Sequence, residues 1–225
     1  MGKLNIAIDG PAGAGKSTVA KFLAEKLGII YLDTGAMYRT VALKAIRSGV
    51  GTTDRIALAA LMENINIDVK YVNGSQVIKL DGENVNDLIR TPEVTKGSSD
   101  VAQFPEVRIR MAGIQRKIAE QNSLIMDGRD IGSYVLPDAD VKIFLTASEQ
   151  ERAYRRFKEN ISKGMTGTTF EEVLKDIQYR DKNDSNREFS PLIKADGAIE
   201  IDSTGREADW VIKTILNIIG DKGGD

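Results

Sequence analysis

Short apolar runs recur along this chain at intervals that suit an alternation of strands and helices. The runs centre on Ile6, Tyr31, Ile125, Ile143 and Ile199. Segments with apolar positions at helical spacing lie between them. This alternation predicts an α/β fold in three layers, with about five parallel strands and helices on both faces of the sheet. Periodicity does not predict the order of the strands within that sheet.

The helical segments carry recognisable start signals. Thr34 is expected to cap a helix that runs to about Arg47, and Ser148 is expected to cap another, with Glu151 completing a capping box. A further helix is expected to begin at Ser98 and to restart near Phe104. Another predicted helix begins after residue 16 and runs to Leu27. The remaining predicted helices cover residues 53–64, 107–121, 170–183 and 208–219.

One stretch interrupts the alternation. Positions 65, 67, 69 and 71 are apolar and alternate with polar ones, which is the period of a strand. The turn residues Asn73, Gly74 and Ser75 follow, then a second extended run at 76–80, and then a second turn at 81–83. The sequence therefore predicts a small antiparallel sheet inserted into the α/β core.

Composition narrows the chemistry available. The chain has 225 residues, no cysteine and no histidine, and its 31 basic and 33 acidic residues give a net charge of −2. The absent residue types exclude disulfides, thiolate nucleophiles and the usual general base. Phosphoryl transfer fits what is left, because it depends mostly on positioning and charge neutralisation. The balanced charge argues against a nucleic-acid or membrane partner. A monomer in the cytoplasm is expected.

Residues 10–17 read Gly-Pro-Ala-Gly-Ala-Gly-Lys-Ser, which fits the phosphate-binding loop Gly-x4-Gly-Lys-Ser. An apolar run precedes the loop and a helical pattern follows it, as the motif requires. Lys16 is expected to reach the β- and γ-phosphates, and Ser17 to bind Mg²⁺ directly. The alternative is a glycine-rich turn without a ligand. The residues expected to contact ATP are Gly10, Pro11, Ala12, Gly13, Ala14, Gly15, Lys16, Ser17 and Thr18.

Two further clusters of charge accompany the loop. Asp127, Gly128, Arg129 and Asp130 follow a buried strand, where ligands of open α/β sheets bind; the alternative is a polar turn. Asp127 resembles a Walker-B carboxylate. The second cluster is the arginine-rich segment 152–187, which indicates a lid closing over a polyanion rather than a solvated basic face. The side chain of Arg39 either faces the loop or is a solvated helix charge.

Several motifs in this order resemble those of the bacterial cytidylate kinases, which are nucleoside monophosphate kinases. They are residues 8–16, 32–39, 104–108, 127–130, 141–145 and 180–187. The resemblance implies a single P-loop kinase domain over residues 1–225. Its core would comprise 1–40, 101–147 and 188–225, with a monophosphate-binding insert at about 41–100 and a lid at about 148–187.

The resemblance also implies an activity: transfer of the γ-phosphoryl group of ATP to CMP or dCMP, with Mg²⁺, in pyrimidine nucleotide metabolism. The implied catalytic residues are Lys16, Arg129, Arg187 and Asp127, with Asp127 reaching the metal through water. Arg155 and Arg156 of the lid are expected to contact ATP. The implied acceptor-binding residues are Thr34, Arg39, Ser99, Arg108, Arg129, Asp130, Arg180, Asp184 and Arg187. Many relatives have Ser at position 34, and some have Gly at position 17.

Two other functions remain open on the residues alone. The first is a different small-molecule kinase on the same scaffold, acting on adenylate, uridylate or another metabolite. The second is a nucleotide-dependent switch that binds GTP. The chain contains no Asn-Lys-x-Asp run of the kind that reads guanine, which speaks against the switch.

Overall fold

A computed structural model describes residues 3–72, 74–162, 164 and 167–222. The strands are β1 (Asn5–Asp9), β2 (Ile30–Asp33), β3 (Ile67–Val72), β4 (Ser75–Leu80), β5 (Glu83–Asn84), β6 (Leu124–Gly128), β7 (Val141–Thr146) and β8 (Ile199–Asp202). The helices are α1 (Lys16–Leu27), α2 (Thr34–Arg47), α3 (Arg55–Asn64), α4 (Pro92–Val101), α5 (Pro105–Gln121), α6 (Glu149–Ser162), α7 (Phe170–Ser185) and α8 (Ala208–Lys222).

The main sheet has five parallel strands in the order β2–β6–β1–β7–β8. Its central strand β1 is buried on both faces, as parallel sheets require. Ile6 and Ile8 point into the apolar layer that includes α1 and α8, where they meet Leu23 and Ile215. Ala7 points into the opposite layer, which contains α2, α3 and α5. The predicted three-layer α/β core with about five parallel strands is confirmed.

The predicted antiparallel insert is also confirmed, as a second sheet in the order β3–β4–β5. Val72 pairs with Ser75, so the chain reverses over two residues, one of which, Asn73, lies outside the described residues. The insert is fastened to the core by Gln76. Its amide oxygen accepts from the Asp33 N–H at 2.8 Å, and its amide nitrogen donates to the Asp33 carbonyl at 3.3 Å. The insert is therefore attached to the core at the carboxyl end of β2.

Helices α6 and α7 form a hairpin with its own small apolar cluster. Ala153 packs with Val173 and Ile177, and Phe157 and Phe170 lie against them. The hairpin also reaches the insert side of the molecule. The Tyr179 hydroxyl of α7 donates to Asp100 of α4 at 3.1 Å, which brings the predicted lid segment against the helix before α5.

Two local predictions are wrong. Helix α4 begins at Pro92 rather than at Ser98, because Thr91 caps it by accepting from the Val94 N–H at 3.3 Å and proline suits the first helical position. Helix α2 is capped by Asp33 rather than by Thr34: the Asp33 carboxylate accepts from the Ala36 N–H at 2.8 Å. The division into core, insert and lid stays a prediction.

Across the part of the chain that the structure describes, no helix has both the length and the apolar character that crossing a membrane requires.

Candidate active site

The phosphate loop joins the central strand to α1 through glycines in unusual backbone conformations. The φ angles are 148° at Gly10, 77° at Gly13 and 91° at Gly15, all in the region that favours glycine. A Cβ on Gly10 would lie 1.9 Å from the carbonyl oxygen of Leu145, so the loop can pass β7 only without a side chain there. Helix α1 then begins at Lys16, and its positive end faces the loop. Such a loop suits an anion.

Lys16 is tethered to this loop. Its ammonium donates to the carbonyl oxygens of Gly10 and Pro11, each at 2.7 Å, and only 5% of the residue is exposed. Burial, followed by the nearby charge of Arg129, lowers the pKa of Lys16 well below its usual range. The loop therefore carries a desolvated cation at the place where the sequence predicts phosphates.

Asp127 is held by two hydroxyl groups at the end of β6. Ser17 donates to one carboxylate oxygen at 2.8 Å, and Tyr31 donates to the other at 2.7 Å. Burial, followed by the charge of Asp33, raises the pKa of Asp127. The sequence analysis proposed Ser17 and Asp127 for this place, but it did not identify Tyr31.

The Ser17 and Asp127 oxygens are a donor set that suits Mg²⁺. This ion keeps several waters and is commonly held by one or two carboxylates together with substrate phosphates. Over the described ranges of the chain, the structure contains no group of three or more Asp or Glu residues able to hold a metal by themselves. A magnesium ion here would therefore depend on nucleotide phosphates for much of its coordination.

The start of α2 lies beside this carboxylate. The Thr34 hydroxyl donates to the main-chain carbonyl of Asp127 at 2.6 Å. Arg39 forms an ion pair with Asp33 at 2.9 Å, so its guanidinium folds back over the start of α2. A Cβ on Gly35 would lie 3.2 Å from that guanidinium, which shows how closely Arg39 folds over the helix start.

Arg108 and Asp130 form a buried ion pair, although they lie on different elements. Their side chains are 2% and 6% exposed. Arg108 also donates to the carbonyl of Ala102 at 3.2 Å, and its guanidinium carbon lies 5.5 Å from the Tyr38 ring centroid. Ser190 donates to the Asp130 carboxylate at 2.7 Å. The structure thus joins two of the residues that the resemblance assigns to cytosine.

Arg129 and Arg187 converge on one carboxylate, that of Asp184. Arg129 pairs with it at 2.6 Å, and Arg187 pairs with its other oxygen. Burial, followed by the charge of Arg108, lowers the pKa of Arg187 to about 9. Two nitrogens of Arg187 are buried without a hydrogen-bond partner among the described residues. Because the two arginines share one carboxylate, the three side chains together carry a net positive charge.

Arg180 adds a further positive charge. Burial, followed by the charges of neighbouring arginines, lowers the pKa of Arg180 to about 10. Those neighbours are Arg129, Arg156 and Arg39. Each of the three already has a carboxylate partner, and the charge of Asp176 opposes the shift at Arg180. We call Arg39, Arg129, Arg180 and Arg187 the arginine cluster; guanidinium groups of this kind suit an anionic ligand.

The other predicted residues occupy different places. Ser99 lies on α4 and accepts a long hydrogen bond, 3.4 Å, from the Asn183 amide. Arg155 pairs with Glu151 at 2.9 Å and donates to the hydroxyl and carbonyl of Ser203. Arg156 pairs with Glu159 at 3.0 Å. The predicted contacts of these two arginines with ATP stay predictions.

Residues that the sequence did not single out complete the site. Arg152 and Asp181 contact the phosphate loop at Ala12. Asp9 accepts from the N–H groups that follow Asp130. The sequence did offer one signal for Arg152. It lies next to Ala153 at the apolar side of α6, and an arginine buried there needs a charged or polar partner. Asp181 lies inside the 180–187 motif but has no local signal of its own.

Comparison with known proteins points to one family. A family model described as "Cytidylate kinase" matches residues 6–221. The cytidylate kinase of Clostridioides difficile (strain 630) is 52% identical over 97% of this chain and 99% of that protein. The cytidylate kinase of Caldicellulosiruptor bescii is 49% identical over 97% and 96%, respectively. The crystal structure of an uncharacterized protein from Eubacterium ventriosum covers 97% of this chain and 99% of that one with a TM-score of 0.54 and 16% identity, a likeness of fold alone.

Proposed function

The chain belongs to the cytidylate kinase family, and from this premise we propose how its residues carry out the reaction. The chain is a phosphotransferase that moves the γ-phosphoryl group of ATP to CMP or dCMP, giving ADP and CDP or dCDP. The donor lies on the phosphate loop, and the acceptor lies between Arg108 and the arginine cluster. We further propose residues 41–100 as the acceptor-binding insert and residues 148–187 as the lid.

The nucleophile is a phosphate oxygen of the acceptor. Its second pKa is about 6, so it is mostly dianionic at neutral pH and needs no general base. This agrees with a chain that contains no histidine. The protein's task is to bring two polyanions together. Unit charges 4 Å apart repel by about 4 kcal/mol at an effective dielectric constant of 20. The cluster of Arg39, Arg129, Arg180 and Arg187 offsets that repulsion.

On the donor side, the loop amides and Lys16 hold the β- and γ-phosphates. Ser17 would bind Mg²⁺ directly, and Asp127 would reach it through water. When bound, Mg²⁺ neutralises charge on the phosphates. Tyr31 and Ser17 orient the carboxylate while leaving its negative charge intact, since both are neutral donors.

On the acceptor side, Arg108 and Asp130 select the base. A carboxylate accepts from the cytosine N4 amino group, and arginine donates to O2 or N3. Uracil presents an oxygen where cytosine has the amino group, so two acceptors would face each other. A buried, unpaired acceptor is costly, and UMP should therefore be a poor substrate. Ser99 assists at the base, Thr34 at the monophosphate, and Asp184 at the sugar.

The observation that carries this proposal is the buried Arg108–Asp130 pair next to the arginine cluster. A buried ion pair is a weak device for stability, because desolvation offsets much of the attraction. The pair makes more sense as a site that a polar ligand completes.

An acceptor panel tests the proposal. With ATP fixed, release of ADP should be fast with CMP and dCMP and slow with UMP and AMP. Asp130→Asn should raise the KM for CMP by about 100-fold, since a hydrogen bond to a charged group contributes roughly 1.5–3 kcal/mol, and the KM for ATP should change by less than about threefold. Asp138→Asn, an exposed change nearby, is the control. Unchanged CMP kinetics in Asp130→Asn would remove the base-reading role.

The proposal also takes the chain as a monomer that acts on free nucleotides in the cytoplasm. Light scattering coupled to size-exclusion chromatography measures the first point directly: a mass well above 24.6 kDa would contradict it.

A further inference from the structure

One residue of the phosphate loop, Ala12, is gripped from the outside by the α6–α7 hairpin. Its N–H donates to one carboxylate oxygen of Asp181 at 3.2 Å, and its carbonyl accepts from Arg152 at 2.9 Å. Arg152 and Asp181 pair with each other at 2.6 Å. Both polar groups of a single loop residue are thus bound by one ion pair, which we call the Ala12 bracket.

The bracket is built to hold a shape. The Arg152 side chain is 5% exposed and that of Asp181 is 18% exposed. A second nitrogen of Arg152 donates to the Ala147 carbonyl at 2.8 Å, which fixes the guanidinium from behind. Charge-assisted hydrogen bonds in a water-poor setting are short and directional, so the position of Ala12 follows the position of the two side chains.

The next loop residue, Gly13, also lies against the hairpin, but through van der Waals contact. A Cβ on Gly13 would lie 3.1 Å from the Cβ of Arg152 and 3.2 Å from a terminal carbon of Ile177. Helices α6 and α7 therefore rest directly on the loop backbone. The glycine at this position serves the approach of the hairpin as well as the loop conformation.

We propose that Arg152 and Asp181 are positioning residues that set the conformation of the phosphate loop and couple it to the α6–α7 hairpin. Neither side chain touches a reacting atom in this scheme. Their charges act through the Ala12 peptide, whose orientation determines where the following loop amides point. The inference rests on the proposed binding of ATP to this loop, and it concerns residues outside the loop itself.

The experiment compares two affinities in the same protein, those for ADP and for CMP, by isothermal titration calorimetry. Asp181→Asn keeps the size and an acceptor for the Ala12 N–H but removes the charge that holds Arg152. The dissociation constant for ADP should rise about tenfold, because a charge-assisted hydrogen bond is lost. The constant for CMP should stay within about twofold of the wild-type value. Asp181→Glu, which restores the charge, should recover part of the ADP affinity.

Gln178→Ala is the matched control. Gln178 lies on the same helix and donates to Glu149 at 3.0 Å, so the variant removes a hydrogen bond between the same two helices at an exposed place. Its ADP affinity should equal that of the wild type. The double variant Arg152→Gln/Asp181→Asn should bind ADP no more weakly than the weaker single variant, because the two side chains act as one unit.

Three outcomes separate the possibilities. If Asp181→Asn binds ADP as tightly as the wild type does, the bracket has no positioning role. If ADP and CMP affinities fall together, the pair only holds the fold, and the inference is wrong. If the wild type itself neither binds ADP nor phosphorylates CMP, the proposed function fails, whatever the variants do.

Discussion

At the scale of single residues, Asp127 shows how a buried carboxylate can be held in place without being neutralised. Ser17 and Tyr31 donate to its two oxygens. The nearby cations bind other groups: Lys16 donates to two carbonyl oxygens of the loop, and Arg129 pairs with Asp184. Burial raises the pKa of Asp127, so an unsupported carboxylate would tend to bind a proton rather than act as an anion. The two hydroxyl groups favour its charged form and leave that charge available to a metal ion.

Tyr31→Phe should therefore weaken the use of Mg²⁺. The variant keeps the ring and removes one donor from Asp127, at a cost of about 1–3 kcal/mol to the oriented carboxylate. The Mg²⁺ concentration that gives half-maximal rate should rise by roughly fivefold or more, with kcat at saturating Mg²⁺ within about threefold of the wild type. Mn²⁺ binding in the presence of ATP, followed by electron paramagnetic resonance, measures the same loss without turnover.

Tyr71→Phe is the control for that change. Its hydroxyl is buried without a hydrogen-bond partner among the described residues, so removing it costs no bond there. The control should leave the Mg²⁺ dependence unchanged. An equal shift in both variants would mean that the loss of Tyr31 acts through packing and not through Asp127.

At the scale of elements, the turn from β1 to α1 depends on how closely the loop approaches β7. Gly10 has a φ of 148°, and any Cβ there would overlap the Leu145 carbonyl at 1.9 Å. Gly10→Ala would have to push apart two neighbouring strands of the sheet at their carboxyl ends. We expect a loss of about 2–4 kcal/mol in the free energy of unfolding, together with loss of ADP binding. Urea denaturation and calorimetry measure the two effects.

Gly113→Ala is the opposite case on a different element. Gly113 lies within α5, where an added Cβ meets nothing within 4 Å. Alanine in a helix interior is about 0.5–1 kcal/mol more favourable than glycine, so this variant should be slightly more stable than the wild type and should bind ADP normally. If Gly113→Ala were less stable than the wild type, the surface of α5 at this position would have to pack against a neighbouring group in solution.

The sequence predicts features whose signals are local, and it misses those that depend on distant segments meeting. Residues 10–17 carry their own strand, glycines and helix start, so the loop could be predicted from a short stretch. By contrast, Asp181 meets Ala12 across 169 positions, and Gln76 meets Asp33 across 43. Nothing near either residue indicates these contacts. The start of α4 was missed for another reason: its Thr-Pro signal lies in a stretch that otherwise appears polar and irregular.

At the scale of the whole molecule, the carboxyl end of the parallel sheet gathers three separate parts of the chain. The antiparallel insert attaches through Gln76 to β2, the α6–α7 hairpin grips the loop after β1, and Arg108 of α5 meets Asp130 after β6. In open α/β sheets this edge is where ligands bind, because the crossover helices leave a crevice there. The arginine cluster thus depends on the global fold, and its charges come from elements far apart in sequence.

Asp9 ties the central strand to this edge, and it makes the stability of the whole protein depend on pH. Its carboxylate accepts from the N–H groups of Ile131 and Gly132 at 2.8 and 2.7 Å. Burial, with a smaller contribution from the charge of Asp130, raises the pKa of Asp9 from 3.8 to about 6, although the two N–H groups oppose the shift. Between these two values the folded chain holds a proton that the unfolded chain has released. The free energy of unfolding should therefore fall as the pH rises through this window.

Asp9→Asn isolates this effect, because the variant cannot ionise at that position. The stability of the wild type minus that of Asp9→Asn should decrease by up to about 3 kcal/mol between about pH 4 and pH 7, at 1.36 kcal/mol for each unit of pKa shift. Other buried carboxylates, including Asp127, are present in both proteins, so their contributions cancel in the difference. Urea unfolding followed by the fluorescence of the single tryptophan, Trp210, gives the two free energies at each pH. A difference that stays constant or grows over this range would mean that Asp9 remains ionised in the folded protein, held by its two backbone donors against the effect of burial.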